Sequence, residues 1–173
     1  MTAGDVPSSV RLPPFQSLLD AHGRDVHRFL IASVGPVDAD DCYQETWLSA
    51  LRAYPRLRDA SNLRSWILTI AHRKAIDHVR SRARHATPIA EVGELADGLT
   101  RAAGAGPEPP AAVERGAWAQ VATLPDKQRT AVALRFIADA AYAEIGEVMQ
   151  TSEEAARRNV HEGLKRLRKD YRP

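Results

Sequence analysis

Arg157 and Arg158 fall in the second turn of a helical stretch that opens with Glu153 and Glu154, and His161 and Lys165 follow on the same outward side. Guanidinium groups in that position can make bidentate contacts to guanine, and a carboxylate can accept a hydrogen bond from cytosine N4. A second basic run stands near the middle of the chain. Arg73, Lys74, Arg80, Arg82 and Arg84 face a single acid, Asp77, between positions 72 and 85. Cations at a helix C-terminus complement its dipole. Five of them, together with His72, His78 and His85, exceed what one helix end requires. They suit phosphate, a contact that supplies affinity without sequence preference. A third cluster is acidic: Asp38, Asp40 and Asp41, then Gln44, Glu45 and Leu48. First-turn acids stabilise a helix dipole, which accounts for the three aspartates but not for Gln44, Glu45 and an outward Leu48 further along.

Catalysis is a poor match to these groups. No paired histidine and no Gly-rich phosphate loop accompanies the carboxylates, and no nucleophile–base pair is in view, so the chain does not read as an enzyme. One cysteine, Cys42, rules out an internal disulfide framework and a Cys-cluster zinc site. His22 and His27 are five apart, and His72 and His78 six apart, so neither pair shares a helix face. No metal and no cofactor are expected. With 24 Lys+Arg against 22 Asp+Glu the net charge is +2, a near-balance that hides local segregation. Residues 1–85 carry 12 basic and 9 acidic side chains, residues 86–116 carry 2 and 5, and residues 117–173 carry 10 and 8. Two basic stretches separated by an acidic spacer fit two contacts with a polyanion. No apolar run is long enough to insert in a membrane, and the first 14 residues lack the apolar core of a signal peptide. A reducing cytoplasm is the default location.

The elements that must position these groups are helices. Phe15, Leu18, Leu19, His22, Val26, Phe29 and Leu30 recur at helical spacing and predict a helix over about 13–33, stopped by Gly35-Pro36. Ala39, Cys42, Tyr43, Thr46, Trp47, Ala50, Leu51 and Tyr54 form the inward stripe of a second helix that Pro55 ends. A third begins near Ser61 and turns Leu63, Trp66, Ile67, Ile70, Ala71, Ile76 and Val79 inward. Residues 86–111, rich in Ala, Gly and Pro, read as a flexible linker. Beyond them, a helix carries Val132, Leu134 and Phe136, a short one spans about 141–149, and a long one about 152–170 with Ala156, Val160, Leu164 and Leu167 inward. A break at Gln150-Thr151-Ser152 between a short helix and a longer basic one predicts a helix-turn-helix. The expected fold is therefore all-α: two small helical domains, 12–85 and 112–173, joined by the linker.

Three segments together carry a family resemblance. The run DADDCYQETWL at 38–48, the run NLRSWILTIAHR at 62–73, and the series Leu124-Pro125, Gln128-Arg129, YAEIG at 142–146 and LKRLR at 164–168 resemble bacterial RNA polymerase sigma factors of the extracytoplasmic-function group. Their order, spacing and linker position match. Two positions depart from the pattern. Gln150 replaces the turn glycine that eases a left-handed backbone, and Ala141 replaces the usual serine cap, with Asp139 a candidate substitute.

The resemblance implies a subunit that binds core polymerase and directs promoter-specific initiation. Asp40, Asp41, Gln44, Glu45 and Leu48 would dock on the coiled coil of the largest polymerase subunit, and the C-terminal domain would meet the flap of the second-largest. The loop bearing Arg58, Asp59, Ser61 and Asn62 would capture an unstacked base of the −10 element, its short polar side chains reading the Watson–Crick edge. Asp59 or Ser61 can equally cap the next helix, and both roles can hold. Arg73, Lys74, Arg80, Arg82 and Arg84 would contact −10 phosphates. Glu153, Glu154, Arg157, Arg158, His161 and Lys165 would read the −35 element, and the linker would thread the polymerase channel used by single-stranded nucleic acid. An anti-sigma factor is a partner this family admits. The alternative is a stand-alone helix-turn-helix regulator of duplex operators, which would leave the acidic face and the polar loop without roles.

Overall fold

The structure is a computed structural model that describes residues 11–85 and 119–170. The linker assigned to 86–111 and the first residues of the domain expected over 112–173 lie outside the described residues. Among the described residues, the main helices follow in this order: α1 (Phe15–Val34), α2 (Pro36–Ala53), α3 (Leu63–His85), α4 (Asp126–Phe136), α5 (Tyr142–Met149) and α6 (Glu153–Asp170). A 3-10 turn at Tyr54–Arg56 closes α2, where Pro55 cannot continue a helix.

Helices α1, α2 and α3 pack on one another as their apolar stripes require. Val26, Phe29, Leu30, Ala39, Ala50, Ile67 and Ala71 are fully buried between them. Gly35, at φ 87°, separates α1 from α2 with no intervening loop. The Tyr54 hydroxyl donates to the Pro13 carbonyl at 2.7 Å and so ties the entry of the chain to the end of α2. Phe15 packs edge-on against Trp47 and Tyr54. Trp66 stays half-buried beside Tyr54, at the margin of the core rather than within it.

Helices α4, α5 and α6 make the second set. Gln150 is left-handed (φ 53°, ψ 48°), the backbone its position demands, and Ser152, not Thr151, caps α6 by accepting from the Ala155 N–H at 3.1 Å. A Cβ on Gly146 would stand 2.9 Å from the Thr151 carbonyl oxygen, so only glycine lets α5 approach the turn this closely. Asp139 does not cap α5. It is itself left-handed, at φ 47°, and pairs with Arg135.

The two helical sets also touch, which the periodicity did not anticipate. Helix α3 lies against α5, and α1 against α4. The Ser65 hydroxyl donates to a Glu144 carboxylate oxygen at 3.0 Å across this contact. Ser65, Leu68 and His72 are buried in consequence, although they lie off the stripe that faces α1 and α2. Leu51, expected inside, is exposed by 51%, and Phe136 by 56%.

His72 is not a phosphate contact. Burial, with the Arg73 charge second, holds its imidazole down to about 4, so it is neutral near pH 7. Phe29 meets its ring edge, and Asp126, Lys127, Thr130 and Arg158 share with it a cavity of about 370 Å³ between the two sets. In the unfolded chain the same group titrates near 6.5. The unfolded state therefore takes up a proton first as pH falls, and stability declines from pH 6.5 down toward pH 4. By pH 5 the loss is about 2 kcal/mol, at 1.36 kcal/mol per pH unit. Urea midpoints followed across that window should fall for the native chain and fall distinctly less for His72→Leu. Parallel curves would show that His72 is already solvated in the native state.

Candidate nucleic-acid interface

Helix α2 is anchored by Ala39, Cys42, Thr46, Trp47 and Ala50, so its opposite side must face outward. Asp40, Asp41, Gln44, Glu45 and Leu48 are all exposed on that side. Leu51, one turn beyond Leu48, joins them and makes an acidic face with an apolar end. The helical spacing concealed it, because Leu51 falls on the inward stripe yet stays uncovered. Cys42 is buried under this face, and burial with the nearby Glu45 and Asp38 charges pushes its thiol up to about 11, which leaves it an unreactive core group.

The acids differ in what they already hold. Asp40 accepts from or pairs with the His27 Nε2 at 2.8 Å. Glu45 lies 3.7 Å from the Lys74 ammonium. Asp38 is drawn inward, paired with Arg82 and 3.2 Å from His78. The basic residues of α3 thus divide between two sides. Lys74, His78 and Arg82, spaced four apart, turn toward the acids of α2. Arg73, Arg80 and Arg84 are exposed with no carboxylate partner on α2, and Arg82 also stays exposed beside Asp38. Arg80, Arg84 and Asp77 border a shallow cleft on that outer side. The contiguous cationic surface is therefore narrower than the sequence count suggests.

Arg58, Asp59, Ser61 and Asn62 are exposed on the connection between the 3-10 turn and α3. The loop is ordered by its own side chains. Asp59 Oδ1 accepts from the Ser61 N–H at 2.8 Å, and Asn62 Oδ1 accepts from the Ser65 N–H at 3.0 Å. Hydrogen bonds from Ser61 hold the Asp59 carboxyl below its usual range. Asn62 is therefore the cap of α3, a role expected of Asp59 or Ser61. Its amide N–H donors are not consumed by capping, since only the carbonyl oxygen accepts.

On α6, Glu153, Glu154, Arg157, Arg158, His161 and Lys165 are all exposed, and Ala156 and Val160 hold the helix down. Arg157 donates to Glu153 Oε1 at 2.9 Å, one turn back. Arg158 also lines the cavity that contains His72. The arrangement offers one helix start to a major groove, a polar loop at the edge of the first helical set, and an acidic–apolar face on α2. No group of three or more His, Cys, Asp or Glu side chains among the described residues is placed to hold a metal ion, and no described helix is long and apolar enough to cross a membrane.

Comparison with known proteins matches both helical sets. Residues 18–85 match the Sigma-70 region 2 family model, and residues 121–169 match Sigma-70, region 4. The chain is similar to the ECF RNA polymerase sigma factor SigC of Mycobacterium tuberculosis, 40% identical over 94 residues that span 51% of this chain and 49% of that protein. Against that relative, the match thus extends over about half of its length. Similarity to the ECF RNA polymerase sigma factor SigF of Caulobacter vibrioides is 32% over 137 residues, 78% of this chain and 72% of that one. Among solved structures, the sigma factor RpoE of Bartonella quintana, in complex with the anti-sigma factor NepR, superposes with a TM-score of 0.73 over 91% of this chain and 96% of that chain, at 18% identity.

Proposed function

The chain belongs to the sigma-70 family of RNA polymerase sigma factors, in its extracytoplasmic-function group, and from that premise we propose that it is a dissociable promoter-recognition subunit of bacterial RNA polymerase. The polymerase performs nucleotidyl transfer; this chain contributes no catalytic group. Asp40, Asp41, Gln44, Glu45 and Leu48, extended by Leu51, dock on the coiled coil of the largest subunit. The second helical set meets the flap of the second-largest subunit. Helix α6 reads the −35 element through Glu153, Glu154, Arg157, Arg158, His161 and Lys165, and its N-terminal half supplies the base contacts, as in other helix-turn-helix proteins.

Opening of the −10 element rests on the loop with Arg58, Asp59, Ser61 and Asn62, while Arg73, Lys74, Arg80, Arg82 and Arg84 hold phosphates. Extruding a base costs a few kcal/mol, which a pocket that hydrogen-bonds and stacks the base can offset without ATP. Of the five cations, Lys74 and Arg82 must leave their α2 partners or share them with DNA, so Arg73, Arg80 and Arg84 are the primary contacts. Such a subunit works in the cytoplasm, and an anti-sigma factor is a further partner, as RpoE of Bartonella quintana has in NepR.

The observation that carries this reading is the α2 face, where exposed Leu48 and Leu51 adjoin exposed carboxylates, bordered by Lys74, His78 and Arg84 of α3 but apart from the α6 cations. A protein that only bound duplex DNA would have no use for it. The test is transcription in vitro: core polymerase with this chain should initiate at a cognate promoter where core alone does not. A chain that binds operator DNA yet confers no initiation would be a stand-alone regulator.

A further inference from the structure

Tyr142 opens α5 and carries no assigned role, yet two arginines converge on it. The Arg157 guanidinium carbon lies 4.7 Å from the centre of its ring and that of Arg135 lies 5.3 Å away. Each cation is held by a second contact close to it in sequence. Arg157 donates to Glu153 Oε1 at 2.9 Å. Arg135 donates to the Ala140 carbonyl at 3.1 Å and to Asp139 Oδ1 at 3.4 Å. Asp139 reaches Arg135 from a left-handed backbone, a conformation that a short polar side chain tolerates better than most. The result is a continuous path from the turn before α5, through the Tyr142 ring, to the base-reading end of α6.

We propose that Tyr142 is a positioning residue that sets the orientation of Arg157 and so determines base preference at the −35 element. The inference rests on the base-reading role given above to Arg157. A free arginine samples many rotamers, and a bidentate contact to guanine requires one plane and one direction. A ring face and a carboxylate one turn away restrict both before DNA arrives, which lowers the ordering cost of binding. Arg135, fixed to the turn, contacts the same ring from the opposite end of the path. The competing role for Tyr142 is packing, since part of its ring rests on the buried core.

Variants separate the two roles. Leucine at 142 keeps the apolar contact and removes the π face, whereas phenylalanine keeps both and removes only the hydroxyl. Each is assembled with core polymerase and assayed on a promoter library that varies every base pair of the −35 element. Arg157→Ala should flatten preference at one position. Tyr142→Leu should weaken preference at that same position by about two- to fivefold, the range of an exposed cation–π contact, and leave the other positions unchanged. Tyr142→Phe should retain the native profile. The double variant should be no flatter than Arg157→Ala alone. A native profile in Tyr142→Leu, or a uniform loss on every sequence, would overturn the positioning role while Arg157 kept its base contact. An unchanged profile in Arg157→Ala would instead remove the base-reading role itself, and the inference with it.

Discussion

Reversal of two charges on α2, Asp41→Arg with Glu45→Arg, is expected to abolish binding to core polymerase while the helical circular-dichroism spectrum stays the same. Both side chains are exposed, and the helix is fixed from its other side by Ala39, Cys42, Thr46, Trp47 and Ala50. The one internal contact at risk is the 3.7 Å pair of Glu45 with Lys74, a surface pair worth about 0.2–1 kcal/mol. Asp40 is left alone because it holds His27. Against a complementary basic partner, two reversed charges placed opposite like charges cost on the order of 4 kcal/mol, about a thousandfold in affinity. Truncating Leu48 and Leu51 to alanine should weaken the same complex without altering its salt dependence, since apolar contacts are not screened. Co-purification with polymerase at native levels by the double-arginine variant would remove the docking role from this face.

Much of this architecture was legible in the sequence for a simple reason. A helix that packs on one side shows its partner as a single stripe at a period of 3.6, and α1 and α2 do so. Gly35-Pro36 and Pro55 then mark their ends, because neither backbone can continue a helix. Helix α3 was harder. It contacts α1 and α2 on one side and α5 on another, so Ser65, Leu68 and His72 are buried off the main stripe, and no local pattern announces a neighbour that arrives from 79 positions along the chain. Leu51 erred in the opposite direction: a leucine at the boundary of a stripe reads as core whether or not anything covers it. Charge counts misled similarly. Five cations near the end of α3 look like one surface, but their register sends Lys74 and Arg82 to Glu45 and Asp38. Capping was legible in kind and not in position. Several of Asp59, Ser61, Asn62, Thr151 and Ser152 could satisfy a helix start, and only backbone geometry decides that Asn62 and Ser152 do.

The loop before α3 should act on melted DNA rather than on duplex, and replacing Asp59, Ser61 and Asn62 together by alanine should reduce promoter opening by on the order of 30-fold, about 2 kcal/mol of the cost of unstacking a base. The geometry argues for a pocket and against a groove-reading element. These side chains are short, exposed, and held by hydrogen bonds within the loop, so they stand at fixed positions at the edge of the bundle. They can line the edge of one extruded base, whereas entry into a major groove takes a helix or a ribbon. Part of any loss will come from the missing cap, worth about 1 kcal/mol to α3. Asn62→Asp separates that part: it keeps an oxygen for the Ser65 N–H and loses the amide donors. If base capture is the function, Asn62→Asp should share the opening defect without loss of thermal stability. A template with its −10 region melted beforehand by mismatches should restore the step of strand separation but not the preference for the −10 sequence. Binding of a −10 non-template single strand by the holoenzyme gives the direct measure. Unchanged single-strand affinity and unchanged sequence preference in the triple variant would reduce the loop to a helix cap, and the contact with melted DNA would pass to Arg73, Arg80 and Arg84, exposed cations of α3 that pair with no acid of α2.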